Sequence, residues 1–458
     1  MATFANKAAI QLTNRASRNL PFVHLTFSGC LRLPLWTRSG VPVRQMSCGK
    51  LSASYRAQQR NTRRLFRFGL NVRVFVRISL AVYIWITLVG ASSLPDYPAA
   101  ARELDAAIER SYAYIDKLPG SVIPQSPLLA AQQNAVSDER SLLRYAEDRI
   151  ASLADHHAIT GSSFADSWAV IPTFTDLWIL KRDNEFFVDA VRSSSPAMKA
   201  GVSAGDSLIA IDGVATSTAV ESFWAKLGLS VTQQRADYAA RVLAAGRRDR
   251  GRTLTFRDTA GLERTVTLPS LYSLDKNSPT VTIALASNRT VVRINNSLGD
   301  SATIAAFDTA MAQVPNNHDL VLDLRDTPSG GNTIVARAIM GWFVDKPTGY
   351  QVHNRPEEEL DSGIPRQWVE QVLPRKGKHR GRLPTVLVGR WTGSMGEGIA
   401  IGFAALGGEV RGTRMAGLNG SVEDIQLGNT GLSIKLPTER LMTTSYVPRE
   451  EFLPLPIR

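Results

Sequence analysis

Residues 385–406 read TVLVGRWTGSMGEGIAIGFAAL. The first four residues are typical of a buried strand, and Glu397 to Leu406 is typical of a helix, so Ser394 falls in the turn between the two. A serine at such a turn projects from the carboxyl end of the strand, and the start of the helix offers backbone N–H groups and a positive dipole end. Those donors can stabilise an oxyanion, but the position also suits an ordinary helix N-cap.

A second segment, upstream of the first, also has the features of a reactive site. Residues 322–332 read LDLRDTPSGGN, which predicts a strand that runs into a glycine-rich loop. Gly330 and Gly331 would let the backbone approach a substrate closely. By itself, this loop is also typical of a plain turn.

In this order and at this separation, the two segments resemble the core of the C-terminal-processing (tail-specific) protease family and of its tricorn-like branch. The resemblance implies a serine endopeptidase with Ser394 as its nucleophile. It implies that the oxyanion is bound by the N–H of Met395 and by the N–H of Gly330 or Gly331. It also implies an acyl-enzyme, with peptides or unfolded, C-terminal protein segments as substrates.

A serine hydroxyl needs a base at neutral pH. The common bacterial branch of this family uses a lysine in a G-K-G-x-V-Q stretch, whereas residues 417–423 here read GLNGSVE, without that lysine. The run Asp155-His156-His157-Ala158 resembles the D-x-H segment that carries the base in histidine-using relatives, which implies His157. His156 and His353 remain alternatives.

A histidine base needs an orienting partner. In the histidine-using relatives, a glutamate lies nearly sixty residues past the serine, and here Glu450 and Glu451 lie 56 and 57 residues past Ser394. The resemblance implies Glu450, with Glu451 and an uninvolved acidic pair near the chain end as alternatives. We interpret Glu397, one helical turn after Ser394, as structural support for the nucleophile turn, because an acid suits a helix N-terminus.

Residues 166–272 show short strands and turns rather than long helices. Within them, residues 195–213 read SPAMKAGVSAGDSLIAIDG, which resembles a PDZ domain of the protease-associated type. A module of that kind would leave the edge of the strand near Val188 free, where an extended peptide could add.

The whole chain reads as an α+β protein in four parts. A basic leader covers residues 1–91, a helical segment 92–165, the PDZ-like module 166–272 and a protease core 278–458. In the core, predicted strands alternate with predicted helices. The resemblance implies that this core is crotonase-like, with ββα layers.

The basic character of the chain belongs to its leader. Of the 53 Lys and Arg residues, fourteen lie in residues 1–91, which leaves 39 against 41 acidic residues. We therefore expect no nucleic-acid partner. Five arginines precede the apolar run Ile78–Val89, and Val89-Gly90-Ala91 resembles a signal peptidase site with Ser92 as the first mature residue. The pattern predicts an exported, periplasmic protein; an uncleaved signal anchor facing the periplasm and a mitochondrial transit peptide are the alternatives.

Several function classes lack their sequence signatures. Both cysteines, Cys30 and Cys48, lie in the leader, so the predicted mature chain has neither a disulfide framework nor a thiol nucleophile. No zinc-protease motif and no phosphate-binding loop occurs, and we expect no metal or cofactor. The alternatives to a peptidase are a non-catalytic protein that binds peptides or hydrophobic ligands on the same scaffold, and an esterase-like hydrolase.

Overall fold

The structure is a computed structural model, and it describes residues 94–274 and 278–457. These residues belong to the compact unit Tyr83–Arg458. The predicted signal segment, its cleavage site and both cysteines lie outside the described residues. Within the described part, no helix combines the length and the apolar character needed to cross a membrane.

A helical start is followed by strands and helices that alternate to the end of the chain. The α-helices of the described part are α1 (Tyr97–Ser111), α2 (Pro127–Asn134), α3 (Glu139–Ala151), α4 (Pro196–Lys199), α5 (Thr216–Ala225), α6 (Gln233–Ala245), α7 (Ala302–Ala312), α8 (Thr333–Met340), α9 (Pro356–Ser362) and α10 (Met395–Ala405). The strands are β1 (Ile159–Thr160), β2 (Leu177–Arg182), β3 (Glu185–Val191), β4 (Ser207–Ile211), β5 (Val214–Ala215), β6 (Arg252–Arg257), β7 (Glu263–Leu268), β8 (Val281–Leu285), β9 (Arg289–Ile294), β10 (Asp319–Asp323), β11 (Thr348–Asn354), β12 (Gln367–Val372), β13 (Thr385–Val388), β14 (Val410–Gly412), β15 (Ser421–Gln426) and β16 (Ser433–Met442). The fold is mixed α/β.

A mainly parallel sheet lies at the centre of the C-terminal part. Its order is β14-β13-β10-β9-β8, and only β8 pairs antiparallel. The strand predicted to begin the 322–332 segment is part of β10, and the run predicted at 385–388 is β13. Leu322 and Val386 are paired in register and are buried. Because parallel strands end at the same edge, the loops that follow β10 and β13 meet, and a bridge between Thr327 and Thr392 continues the pairing beyond both strands.

A second sheet attaches the N-terminal helices to this core. Its order is β1-β16-β11-β12, with β15 paired to β16. The two-residue strand β1 pairs antiparallel with β16, so Ile159 lies opposite Lys435. Helices α1 and α3 pack on the same strand in one apolar cluster that includes Leu104, Leu142 and Leu436. The residues just before β1, which include both candidate histidines of the N-terminal segment, are therefore held against the core.

The third sheet, β2-β3-β4-β6-β7 with β5 paired to β4, forms a module inserted between the N-terminal helices and the core. We call residues 177–268 the inserted module. The short strands predicted within residues 166–272 are present as β2 to β7. Helices α5 and α6, which the sequence analysis did not predict, pack with the sheet around buried Trp178, Trp224 and Phe256.

The prediction of a free strand edge near Val188 is wrong. Val188 lies in β3, which is paired with β2 on one side and with β4 on the other. The edge strand is β2, and side chains of α6 bind its outward backbone groups. Arg241 Nε donates to Ile179 O at 3.2 Å, and Asp237 Oδ1 accepts from Lys181 N at 2.7 Å. These bonds satisfy the groups that an added peptide strand would need.

Candidate active site

The turn that carries Ser394 is strained and is held by a buried carboxylate. Ser394 has φ 50° and ψ −114°, a backbone conformation that is uncommon for a residue with a side chain. Its N–H donates to Glu397 Oε2 at 2.9 Å, and the N–H groups of Gly417 and Leu418 donate to the same carboxylate at 2.9 and 3.2 Å. Glu397 thus connects the turn at Ser394 to the loop before β15.

Burial raises the pKa of the Glu397 carboxyl to about 7. The three N–H donors and Arg449, whose Nη2 lies 4.0 Å from Oε2, favour the ionised form and limit that rise. Arg449 is itself buried and donates to the carbonyls of Leu418 and Gly420 at 3.0 and 2.7 Å. A buried charged pair therefore lies directly beneath the turn.

The structure brings His157 to Ser394. Nε2 of the ring lies 3.1 Å from Ser394 Oγ, and Nδ1 lies 2.5 Å from the backbone carbonyl of Asn419. A carbonyl oxygen can only accept, so Nδ1 carries the proton and donates to it. The other nitrogen, Nε2, then presents its lone pair to the serine hydroxyl. This is the tautomer that a general base requires.

The buried Asp155 bonds both His157 and Asn419, the two residues joined by the Nδ1 hydrogen bond. Asp155 Oδ1 accepts from the backbone N–H of His157 at 2.8 Å, and Oδ2 accepts from Asn419 Nδ2 at 2.9 Å. Tyr112 OH also donates to Oδ2, at 2.9 Å. Asp155 thus positions the imidazole indirectly, through the backbone of His157 and through Asn419.

Burial is the main influence on the ionisation of His157. The pKa of the imidazole falls from 6.5 to about 4, because burial and, to a smaller extent, the nearby Arg449 guanidinium both lower it while the bond to Asn419 opposes the change. A pKa below the ordinary value means that His157 is neutral, and able to accept a proton, over the whole neutral range.

The other candidate histidines contact groups other than Ser394. His353 lies between two glutamates, with Nδ1 3.1 Å from Glu439 Oε2 and Nε2 3.3 Å from Glu370 Oε2, and it stacks on Trp368. His156 stacks on Tyr238 with ring centroids 4.4 Å apart.

The structure does not make Glu450 the hydrogen-bond partner of His157. The Glu450 carboxylate pairs with Lys117 Nζ at 2.5 Å, and Glu451 lies 3.9 Å from the same ammonium. The single proton on Nδ1 of His157 is already donated to Asn419 O, so no ring donor is left for a carboxylate. The sequence analysis missed Asn419 because the group that bonds the ring is a backbone carbonyl, which has no residue signature.

The glycine-rich loop packs directly against Ser394. Gly330 has φ +66°, and a β-carbon there would lie 2.7 Å from Ser394 Oγ and 3.0 Å from Met395 N. A β-carbon at Gly331 would clash with the carbonyl of Leu298 and lie 2.5 Å from Gly299 N. Both positions therefore require glycine. Met395 is the first residue of α10, so the residues expected to form the oxyanion hole surround Ser394 from two elements.

Within residues 94–274 and 278–457, no group of three or more His, Cys, Asp or Glu side chains is arranged to hold a metal ion.

Comparison with known proteins finds a family match for the C-terminal part of the chain. Residues 289–451 match peptidase family S41. The solved structure of a photosystem II D1 C-terminal processing protease is similar, with 18% identity, a TM-score of 0.50, and 80% of this chain and 94% of that chain covered. Mature CPAF complexed with lactacystin shows 15% identity, a TM-score of 0.49, and 79% and 93% coverage. No curated protein matches the chain by sequence. The first likeness shows a shared fold; the S41 match includes both the glycine-rich loop and Ser394.

The ionisation of Glu397 gives a testable effect on stability. Its pKa in the folded protein, about 7, exceeds the ordinary 4.5, so its contribution to stability is fully present below pH 4.5 and is lost as the pH rises through 7. We expect the free energy of unfolding of the wild type, relative to Glu397→Gln, to fall by about 3 kcal/mol between pH 4.5 and 8. Urea unfolding across this range measures it, with Glu221→Gln as a surface control. A difference that does not change with pH would contradict the assignment.

Proposed function

The chain carries a peptidase family S41 domain, and from that premise we propose that it is a serine endopeptidase whose nucleophile is Ser394 and whose base is His157. The observation that carries the proposal is the 3.1 Å contact between His157 Nε2 and Ser394 Oγ, with Nδ1 bonded to a group that can only accept. A serine that served only as a helix cap would not need a neutral, buried imidazole against its hydroxyl.

The proposed reaction is acyl transfer in two halves. His157 Nε2 takes the Oγ proton while Ser394 Oγ bonds to the carbonyl carbon of the peptide. The oxyanion that forms would be bound by the N–H of Met395 and by that of Gly330 or Gly331. His157 then gives its proton to the leaving amine as the C–N bond breaks, which leaves an ester on Ser394. Water, activated by the same nitrogen, attacks that ester, and the proton returns to Oγ.

In this proposal, the Asn419 carbonyl and Asp155 together take the place of an acid that would bond the His157 ring directly. When His157 is protonated, the Asn419 carbonyl stabilises the positive ring through Nδ1–H, and the buried Asp155 keeps Asn419 in position. Because Asp155 also binds the backbone of His157, the ring and its acceptor are held by the same carboxylate. The role predicted for Glu450 passes to these two residues.

The proposed substrates are peptides or unfolded, C-terminal protein segments. The name of the D1 C-terminal processing protease supports this class, and so does the family of the catalytic domain. We also propose that the inserted module is PDZ-like and that the core is crotonase-like. The β2 edge of the module is bonded to α6, so we propose that substrate reaches Ser394 without adding a strand at that edge.

Labelling tests the nucleophile and separates the peptidase from the binding-protein alternative. We expect a fluorophosphonate to modify the wild type but not Ser394→Ala, because only an activated hydroxyl attacks phosphorus. Intact mass spectrometry measures the adduct. Equal labelling of the two proteins, or none in either, would favour a scaffold that binds peptides without cleaving them. Turnover of small esters without cleavage of casein would favour the esterase.

Substitution of the histidines tests the base. We expect His157→Ala to lower kcat for a peptide substrate by at least about a hundredfold, because general-base catalysis is lost. Exposed His379→Ala serves as the matched control and should retain full activity. If His353→Ala abolishes hydrolysis while His157→Ala leaves it intact, and both proteins stay folded by circular dichroism, the assignment of the base is wrong.

The lowered pKa of His157 predicts the acid limb of the activity profile. The imidazole must be neutral to accept the serine proton, so kcat/KM should fall with decreasing pH only as the pH approaches about 4, rather than through 6.5. A stopped assay between pH 4 and 8 measures the limb. The same profile in Glu397→Gln separates the histidine from the neighbouring carboxyl. A fall centred near 6.5 in both proteins would contradict a buried, neutral base.

For location, the leader sequence alone supports our proposal that the protein is exported to the periplasm. N-terminal sequencing of the exported protein should begin at or near Ser92. A membrane-bound protein that retains Ile78–Val89 would instead indicate an anchor.

A further inference from the structure

The loop that is proposed to bind the oxyanion is hydrogen-bonded to the segment that follows β9. Asn296 Oδ1 accepts from the backbone N–H of Ser329 at 2.8 Å, and Asn296 Nδ2 donates to Ser329 Oγ at 2.8 Å. Further along both segments, the carbonyl of Leu298 accepts from Asn332 N at 3.2 Å. The same carbonyl lies where a side chain at Gly331 would be. Residues 296–299 therefore contact the loop at three successive points.

The contact with Ser329 bears directly on the geometry of the neighbouring glycine. The carbonyl carbon of residue 329 and the N–H of Gly330 belong to one planar peptide unit, so fixing residue 329 restricts the direction of that N–H. The backbone of Gly330 lies against Ser394 and Met395 N. Since Gly330 has a positive φ and glycine has the widest backbone freedom, the loop needs an external contact to hold one conformation.

The chemistry of the two partners fixes the orientation of the Asn296 amide. The Ser329 N–H can only donate, so the amide oxygen must face it, and the amide nitrogen then faces the hydroxyl. The hydroxyl has a second neighbour, Thr173 Oγ1 at 3.2 Å. Asn296 itself has φ 53°, in the left-handed region that asparagine tolerates better than most residues. Asn296 therefore uses both polar atoms of its side chain to bind Ser329, and it does so from a left-handed backbone conformation.

We propose that Asn296 is a positioning residue for the oxyanion loop: it holds Ser329 so that the glycine N–H groups face the carbonyl attacked by Ser394. This inference rests on the proposed peptidase function. It assigns a role to a residue that contacts neither the nucleophile nor the base, and it predicts a defect in the chemical step rather than in substrate binding.

The substitution that tests this is Asn296→Gly. Glycine accepts the left-handed backbone without strain, so it removes both hydrogen bonds to Ser329 without forcing the main chain. We expect kcat to fall about tenfold to a hundredfold with KM within about threefold of the wild type, because a misplaced oxyanion donor is felt mainly in the transition state. Ser329→Ala keeps the bond from its N–H to Asn296 and loses the hydroxyl contacts with Asn296 and Thr173, so a smaller loss of kcat is expected.

The matched control is Asn295→Ala, one residue earlier. Asn295 Nδ2 donates to Pro279 O and Thr282 Oγ1, away from the oxyanion loop, and this variant should keep the wild-type kcat. A second readout is the affinity for a peptidyl aldehyde, whose adduct on the serine places an oxyanion in the same position. The aldehyde Kd should rise in parallel with the loss of kcat in Asn296→Gly, while the acid limb of the pH profile stays in place.

The outcomes separate this inference from the proposed function. If the wild type is labelled by the fluorophosphonate at Ser394 and Asn296→Gly keeps its kcat, the positioning role is wrong and the peptidase remains. A lower melting temperature in Asn296→Gly, with unchanged kcat per folded molecule, would likewise overturn the inference in favour of a purely structural contact. If the wild type is neither labelled nor active, the proposed function fails and the inference fails with it.

Discussion

The parallel pairing of β10 with β13 is the constraint on which the site depends. It places two loops that are far apart in sequence at one sheet edge, and the bridge between Thr327 and Thr392 carries the contact past the strands. Gly393 N donates to Thr327 O at 3.2 Å, so the turn that carries Ser394 and the glycine-rich loop share a hydrogen bond. Most apolar residues of both strands are buried, and their burial supplies the free energy that keeps this edge together.

The turn at Ser394 also costs free energy of folding. Ser394 has an unfavourable φ, and beneath it Glu397 and Arg449 are buried with their charges 4.0 Å apart. Buried pairs of this kind seldom add net stability, because desolvation offsets the attraction. The pair is explained by its role in positioning the backbone. The Glu397 carboxylate binds three N–H groups from two segments, which no apolar side chain could do.

Much of this arrangement could be predicted from the sequence, and the failures have physical causes. The strands at 319–323 and 385–388 were visible because buried parallel strands are continuous apolar runs. The turn at Ser394 followed from the strand and helix on either side, although α10 begins at Met395, two residues before the predicted start. Asn419 was overlooked because it contributes a carbonyl, and every residue has one. Glu450 was chosen by its spacing from the serine, but spacing along the chain does not report which atom reaches the ring.

In the inserted module, too, local sequence patterns predict the strands but not the contacts between distant elements. Its strands could be read from alternation and turn residues, yet the position of α6 depends on long-range contacts with β2 that no local pattern contains. An exposed strand edge invites pairing with other chains, and proteins commonly protect such edges with a covering element. Here the cover uses charged and polar side chains, Asp237 and Arg241, that mimic the bonds of a neighbouring strand. Trp391, three residues before Ser394, donates to Thr175 O just before β2 at 2.8 Å. Trp391 therefore links the segment that precedes β2 to the segment that carries Ser394.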